Sequence, residues 1–287
     1  MYHMEFKRPP SVWWCLIKAI FARKKGCFTE NGLSRFEANI SLKPSASLSN
    51  YQSLCGFPET RVLPVTYPHV LAGPLHLALG THKNFPLPAM GLVHASNTIT
   101  QHREIMAEEE LDIRCWIDGS RQIGIGVEMD INTQVLVAGE LVWESISTIV
   151  SRAVPGDGLK RDRPARPALE MPKSESWRLS GNLGRRYASL SKDYNPIHMF
   201  ATLAKMFGFR SQIAHGMFLL GKVASKSSVC QSGAVKLSVV FQRPVFLPST
   251  TMFRIGGSEN NEVFDMTAKS GKVQIHGIAE VLNVSGK

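Results

Sequence analysis

The sequence predicts an α+β fold built from two similar halves, each with a helix packed on an antiparallel sheet. Three observations favour this fold. Each half reads as a helix followed by four strands, and one constant offset in numbering, which places Ile99 on Val239, aligns several strand residues of the two halves. A stretch rich in proline and charge (153–173) separates the halves. A recurring order of elements is typical of a duplicated unit.

The composition fits an ordinary soluble protein. The 287 residues include 44% hydrophobic and 20% charged residues, which is enough chain for two cores. Five separated cysteines include no C-x-x-C pair, which favours reduced thiols and a cytoplasmic location. The net charge of +10 is concentrated near the N-terminus and in "LKRDRPARP" (159–167). Neither stretch contains a nucleic-acid motif, so no nucleic-acid partner is expected.

Residues 1–58 are expected to form an N-terminal extension and linker. The apolar stretch "SVWWCLIKAIFA" (11–22) is too short to span a bilayer and has no cleavage site after it. Residues 11–25 fit either a helix in weak contact with a membrane surface or a helix packed on the protein itself. Residues 23–58, with the Ser-rich segment 41–50, read as irregular chain.

The first half (59–152) begins with an apolar helix within 61–82, which starts near Pro68 and ends at Gly80. Alternating and β-branched residues then predict four strands, at 91–101, 109–117, 121–131 and 134–150. The linker 153–173 follows.

The second half (174–287) repeats this order. Helical sequence covers about 196–226 with a break near Gly208, and strands are expected at 234–246, 250–256, 262–269 and 272–284. The offset that places Ile99 on Val239 also places Arg114 on Arg254, and Val135 on Ile275.

A helix followed by long antiparallel strands buries its apolar sides when the sheet curls around it. This is the hotdog architecture. The two halves therefore predict a double hotdog, with two curled antiparallel sheets each wrapped around a central helix.

The stretch "SKDYNPIHMF" (191–200) contains the strongest indication of chemistry. Pro196 suits the first position of a helix and Asn195 its N-cap, which places His198 in the first turn and Asp193 just outside. Ile197, Phe200, Ala201, Ala204 and Phe207 continue an apolar stripe. A carboxylate and an imidazole brought together at a helix end can hold a water for addition to, or removal from, a double bond. A plain helix cap is the alternative interpretation.

A second segment, "SQIAHGMFLLGKVAS" (211–225), places Gly216 at the start of another apolar helix. Glycine lets a substrate approach the backbone closely, and the free N–H groups of a helix start favour developing negative charge. An enolate oxygen on a thioester is such a charge.

Together these two segments resemble the MaoC-like dehydratases and (R)-specific enoyl-CoA hydratases. The pattern Y-x-x-L-S-K-D-Y-N-P-I-H, followed by "IAHGMF", matches the family at Tyr187, Leu190, Ser191, Asp193, Asn195, Pro196, Ile197, His198, Ala214, His215 and Gly216. The motif itself lies within 187–216, and the order of elements extends the resemblance over roughly 60–287.

The resemblance implies reversible hydration of a trans-2-enoyl thioester, carried by CoA or acyl carrier protein, to the (R)-3-hydroxyacyl form, with no metal or redox cofactor. Asp193 and His198 would be the acid/base pair, Asn195 a positioning partner and Gly216 the oxyanion contact. Substrate-binding positions would be Tyr187, Ser191, Lys192, Ala214 and His215.

Lys192 departs from the family, which usually has glycine there. Either the backbone needs no positive φ at this position or the loop is altered, and the lysine either meets a CoA phosphate or points to water.

The resemblance also implies that the first half binds the acyl chain without performing chemistry. The motif, shifted back by the offset of the repeat, falls on "SLCGFP" (53–58), which lacks Asp, Asn and His. The histidines at 69, 76, 82, 94 and 102 show no metal-ligand spacing, and polar or capping roles are expected. The alternatives are an acyl-CoA-binding protein with a relic motif and a hotdog thioesterase. A homodimer is left open.

Overall fold

The structure, a computed structural model, describes residues 1–21, 24, 34–44, 47–117, 119–158, 165–169 and 172–282. The strands are β1 (Tyr2–Phe6), β2 (Phe36–Leu42), β3 (Val93–Gln101), β4 (Leu111–Ile117), β5 (Arg121–Ile123), β6 (Gly126–Val137), β7 (Glu140–Ser151), β8 (Lys173–Leu179), β9 (Val235–Phe241), β10 (Ser249–Ser258), β11 (Asn261–Ala268) and β12 (Val273–Val281). The α-helices are α1 (Val12–Phe21), α2 (Leu48–Cys55), α3 (Tyr67–Thr81), α4 (Leu183–Ser191), α5 (Pro196–Met199), α6 (Ala201–Met206) and α7 (Gly216–Ala224).

The described strands form one continuous sheet that contains the same strand order twice. The order is β1-β2-β4-β6-β7-β3-β9-β12-β11-β10-β8, with β5 paired to β6. The first half therefore reads β2-β4-β6-β7-β3 and the second β8-β10-β11-β12-β9. Antiparallel pairing of β3 with β9 joins them. This confirms the α+β double-hotdog class, with the two expected sheets fused into one.

The constant offset between the halves is correct for part of the repeat only. It superposes β3 on β9 and β4 on β10, the strands of Ile99 and Arg114. The match of Val135 with Ile275 is wrong, because Val135 lies in β6 and Ile275 in β12, whose counterpart is β7. The strands β6 and β7 have 12 residues each, against 8 and 9 in β11 and β12, so the offset shrinks along the chain.

The expectation of irregular chain over residues 23–58 is wrong for two segments. The strand β2 pairs with β4 and alternates buried and partly exposed residues, with Phe36, Ala38 and Ile40 buried. The helix α2 buries Tyr51 and Cys55. Pairing and packing with the rest of the chain thus determine the structure here, and the sheet of the first half begins before residue 59. Residues 25–33 lie outside the described part.

The helix α3 lies close to its expected bounds and packs on β2, β4 and β6. Trp143 fixes the segment that precedes this helix. It is fully buried and donates its indole N–H to the Val65 carbonyl at 2.7 Å. This helix is the central helix of the first half, and one of its faces contributes to the cavity described below.

The predicted helix over 196–226 is divided into three shorter helices. Phe200 adopts an extended conformation (φ −145°, ψ 149°) and is half exposed, so the expected apolar stripe does not continue through it. The cause is a competing hydrogen bond, because Ile213 N–H donates to the Ile197 carbonyl at 3.0 Å. In a continuous helix that carbonyl would accept from Ala201.

The helix α1 packs against α3 through buried Cys15 and Leu16, while Trp14 and Phe21 remain exposed. Packing on the protein itself is therefore confirmed. Within the described residues, no helix combines the length and the apolar character needed to cross a bilayer.

Candidate active site

The loop between α4 and α5 begins with a left-handed residue. Lys192 caps α4 with φ 61° and ψ 12°, and its N–H donates to the Ala188 carbonyl. Of the two alternatives for this position, a backbone without a positive φ is therefore excluded. The Lys192 side chain is exposed and its ammonium group donates to the Ser189 carbonyl at 2.6 Å. In the first half, Gly56 caps α2 in the same left-handed conformation.

Asp193 follows and is held by local hydrogen bonds. Its N–H donates to Ser191 Oγ at 3.3 Å, and its Oδ1 accepts the N–H of Asn195 at 3.1 Å. Ser191 Oγ donates to the Tyr187 carbonyl at 3.0 Å, which anchors it to α4. The carboxylate direction is thus determined by the end of α4.

Asn195 ties this loop to the first half of the chain. Its Nδ2 donates to the Leu92 carbonyl at 3.1 Å, and its Oδ1 accepts the N–H of Gly91 at 3.3 Å. The helix α5 begins at Pro196 as expected, but Asn195 makes no side-chain cap hydrogen bond. Asn195 therefore occupies the N-cap position as expected, while its side chain links the loop to the chain that enters β3.

His198 lies in α5, buried behind Asp193. Its Nδ1 is 2.9 Å from the Ile213 carbonyl oxygen. Since a carbonyl only accepts, Nδ1 carries the proton and Nε2 of a neutral ring keeps its lone pair. A Cβ added at Gly184 would lie 2.0 Å from the His198 carbonyl oxygen, so only glycine allows α4 to approach α5 this closely.

His215 stacks on His198, with ring centroids 3.7 Å apart and planes inclined by 26°. Its Nε2 lies 3.0 Å from the Asp193 backbone carbonyl oxygen and 3.8 Å from Oδ2. A carboxylate oxygen of Asp193 and one ring nitrogen of each histidine all lie within 4.8 Å of one another. Two rings stacked in near-parallel planes cannot both point at an ion about 2 Å from each nitrogen, so the group suits a water better.

The electrostatics of the group favour neutral histidines beside an ionised carboxylate. Burial lowers the pKa of His198, and burial together with the neighbouring His198 lowers the pKa of His215 to about 3. The surrounding protein desolvates Asp193, which by itself raises its pKa, but His215 and His198 outweigh this effect and the pKa falls below its usual value. The group can therefore accept protons near neutral pH.

The second expected segment forms the other side of the site. The helix α7 begins at Gly216, directly after His215, and Ala214 N–H donates to the Val245 carbonyl at 2.8 Å. A Cβ at Gly216 would lie 2.8 Å from the ring of Phe241, so a side chain here would displace that ring. The absence of a side chain at Gly216 therefore leaves room for the Phe241 ring beside the start of α7.

A cavity of about 680 Å³ joins these features. All nine of the sequence-predicted site residues line it: Tyr187, Ser191, Lys192, Asp193, Asn195, His198, Ala214, His215 and Gly216. The side chain of Asp193 keeps 51% of its surface accessible, whereas His215 keeps 3%. The first half contributes the opposite wall, mainly from α3 and the strands β3, β6 and β7.

Sequence reasoning missed three histidines in this wall. His69, His76 and His94 line the same cavity, although they were expected only in polar or capping roles. A signal for two of them was present in the sequence. His69, Gly73 and His76 are spaced by four and three positions, which places all three on one face of a helix. Arg152, the residue before the linker, also lines the cavity.

A double hotdog with an acid–histidine pair in a cavity between its halves defines a class of hydratases and dehydratases, and comparison with known proteins agrees. Residues 170–277 match the MaoC like domain family. The chain is 31% identical to 3-hydroxyacyl-thioester dehydratase X of Mycobacterium tuberculosis over 226 residues, which cover 78% of this chain and 80% of that protein. The chain belongs to the MaoC-like dehydratase family.

Solved structures support the same fold. The crystal structure of HtdX of Mycobacterium tuberculosis has a TM-score of 0.75 and 28% identity, and the match covers 86% of this chain and 100% of that one. A MaoC-like dehydratase from Phytophthora capsici has a TM-score of 0.68 and 20% identity, covering 89% and 96% of the two chains.

Proposed function

We propose that the protein catalyses the reversible hydration of a trans-2-enoyl thioester to the (R)-3-hydroxyacyl thioester. The observation that carries this proposal is the Asp193 carboxylate within 4.8 Å of the His198 and His215 ring nitrogens, in the wall of a large cavity. The MaoC-like family and the similarity to 3-hydroxyacyl-thioester dehydratase X of Mycobacterium tuberculosis support the reaction class.

Asp193 and His198 can together hold one water molecule by both of its hydrogens. One hydrogen points to an oxygen of ionised Asp193 and the other to the lone pair of His198 Nε2, which directs the water oxygen at C3 of the substrate. As the new C3–O bond forms, His198 accepts a proton and the alkene electrons move to the thioester oxygen. Returning that proton to C2 regenerates the carbonyl and completes the addition of water. Dehydration follows the same steps backwards.

The start of α7 supplies stabilisation of the enolate oxygen. The N–H of Gly216 points from the first turn of a nine-residue helix, where the helix dipole favours negative charge. A thioester carbonyl placed there would have C2 and C3 within reach of the Asp193 loop, since both segments line one cavity.

The first half holds the acyl chain in this proposal. Its wall includes Leu77, Ile131 and Ile149, which suit hydrocarbon, and no counterpart of the Asp193–His198 pair occurs in "SLCGFP" (53–58). Arg152 and Arg243 also line the cavity and suit the phosphates of CoA or of the acyl-carrier arm.

A spectroscopic assay with a panel of enoyl-CoAs tests the proposal. Hydration removes the conjugated double bond, so the absorbance of the enoyl thioester should fall and an (R)-3-hydroxyacyl product should accumulate. Release of free thiol instead would favour the thioesterase alternative. Tight binding of acyl-CoA without turnover at any chain length would favour the relic-motif alternative.

The remaining expectations about partners stay proposals. Residues 11–25 are proposed to make weak contact with a membrane surface through the exposed apolar side chains of α1; within this range, residues 22, 23 and 25 lie outside the described part. The cytoplasmic location, the homodimer and the lack of a cofactor also remain predictions.

A further inference from the structure

One face of α3 brings polar side chains into the acyl wall of the cavity. His69, Gly73, His76 and Gly80 are spaced by four, three and four positions and all line the cavity, as does His94 on β3. The ring of His69 lies 5.0 Å from that of His76 and 5.8 Å from that of His94. A wall that contacts only hydrocarbon has no need of imidazoles, which are costly to bury.

The three rings are neutral. Burial, together with the neighbouring histidines, lowers the pKa of His69, His76 and His94 to about 3 each, against an opposing effect of the Asp193 charge. A neutral imidazole offers one N–H donor and one lone-pair acceptor. The cluster can therefore both donate and accept hydrogen bonds without carrying a charge.

Two of these rings have hydrogen-bonding capacity that the described residues leave unused. His76 Nε2 is 2.8 Å from Thr133 Oγ1, which holds that ring on β6. By contrast, His69 Nδ1 and His94 Nε2 are buried and have no hydrogen-bond partner among the described residues. Burying an unpaired polar group is unfavourable, and nearly all such groups in folded proteins have a hydrogen-bond partner.

We propose that His69, His76 and His94 form a hydrogen-bonding subsite for an uncharged oxygen-bearing group, a hydroxyl or a ketone, on the acyl chain of the substrate. The inference rests on the proposed function, since it assumes that an acyl chain enters this cavity. The neighbouring Ile123, Ile131 and Ile149 would contact the remaining hydrocarbon.

Two other kinds of ligand fit less well. A carboxylate would bring a negative charge to neutral rings near the Asp193 carboxylate, with nothing in the cluster to balance it. A metal ion would need converging nitrogens, but the group that the described residues bring within 4.8 Å is Asp193, His198 and His215, not these three histidines.

The test compares saturated octanoyl-CoA with a series of octanoyl-CoA ligands that each carry one hydroxyl group at a carbon beyond C3. None of these thioesters can react, and each is titrated into the protein by calorimetry. The hydroxylated ligand at the best position should bind at least about tenfold more tightly, as expected for one satisfied pair of hydrogen bonds. The variants His69→Phe and His94→Phe keep an aromatic ring at each position, remove the polar atoms and should bring this ratio to about one.

His3→Phe, an exposed histidine on β1, is the matched control and should keep the wild-type ratio. Equal binding of the two ligands by the wild type, or an unchanged ratio in both variants, would overturn the subsite. A parallel assay with enoyl-CoAs separates the two claims. Preferential binding without any hydration would refute the proposed function and leave the subsite standing, whereas hydration without preference would do the reverse.

Discussion

The imidazole ring of His198 lies on that of His215, 3.7 Å away, and each ring donates one N–H to a backbone carbonyl. The acceptors are the carbonyls of Ile213 and Asp193. Two imidazolium ions could not remain in this contact, and burial also opposes their charge. The stack therefore keeps His198 neutral, with Nδ1 protonated and Nε2 free, which is the form that can take a proton from water.

The histidines that line the cavity predict that acid destabilises the fold well above the pH at which carboxylates titrate. The pKa values of His69, His76, His94 and His215 are lowered to about 3, against 6.5 for an ordinary histidine. Between these values the unfolded chain binds more protons than the folded one, so stability is complete above about pH 6.5 and is lost as pH falls toward about 3. Each histidine contributes at most about 1.4 kcal/mol per pH unit.

Urea unfolding at a series of pH values measures this effect. The free energy of unfolding should fall steadily from about pH 6.5 to about pH 5, with a shallower slope in His69→Phe because one proton-binding group is removed. A constant free energy of unfolding over this range would contradict the assignment of neutral buried histidines.

The contact of Gly184 with the His198 carbonyl predicts a loss of activity on a small change. Gly184→Ala places a methyl group 2.0 Å from that oxygen, so α5 must move. A displacement of about 1 Å at reacting groups can lower kcat about 100-fold, and overpacking costs about 1–3 kcal/mol. The matched control is Gly181→Ala, whose Cβ would lie 3.6 Å from Pro248 and should leave kcat/KM unchanged. Equal kcat/KM in the two variants would refute the positioning role of Gly184.

The left-handed conformation of Lys192 predicts that glycine stabilises the fold at this position. Lys192→Gly removes a steric penalty of about 1 kcal/mol and should raise the free energy of unfolding by about that amount. Lys205→Gly, the same exchange at an exposed right-handed position in α6, should lower it by about 1 kcal/mol. Thermal and urea unfolding compare the two, and a loss of stability in Lys192→Gly would show that the lysine side chain stabilises the loop by more than its backbone strain.

The exposed apolar face of α1 predicts weak binding to anionic membranes. Trp14 is 58% exposed and Phe21 79%, and Lys18 lies beside the Trp14 ring. Co-sedimentation with phosphatidylcholine vesicles should increase when phosphatidylglycerol is added, and Trp14→Ser and Phe21→Ser should each reduce it several-fold.

Ile146→Ser, on the exposed face of β7, is the control for the vesicle experiment and should bind as the wild type does. Failure of the wild type to sediment with either vesicle would contradict the membrane proposal. Sedimentation velocity without lipid would then test whether the same face forms a homodimer.

The sequence predicted the proximity of Asp193 and His198 better than it predicted the elements around them. The spacing of Asp193, Asn195, Pro196 and His198 is local, and the structure brings Asp193 and His198 together as that spacing indicated. The partners of Asn195 could not be predicted in this way, because they are backbone groups of Gly91 and Leu92, in the other half of the chain.

The missed elements depend on long-range pairing in the same way. The strand β2 has a short apolar alternation in a polar surrounding and becomes a strand by pairing with β4. The break at Phe200 depends on a carbonyl of Ile197 that is taken by the distant Ile213. The histidines of α3 could not be assigned to the cavity from the sequence, because the folded chain brings them to the wall that faces the Asp193 loop.

The most direct test of the central claim is the rate of enoyl-CoA hydration in Asp193→Asn and His198→Gln, measured with the wild type under identical conditions. Both substitutions nearly preserve size, and loss of the carboxylate or of the Nε2 lone pair should each lower kcat by at least about 100-fold while acyl-CoA still binds. Turnover in either variant close to that of the wild type would contradict the assignment of this pair as the groups that activate water.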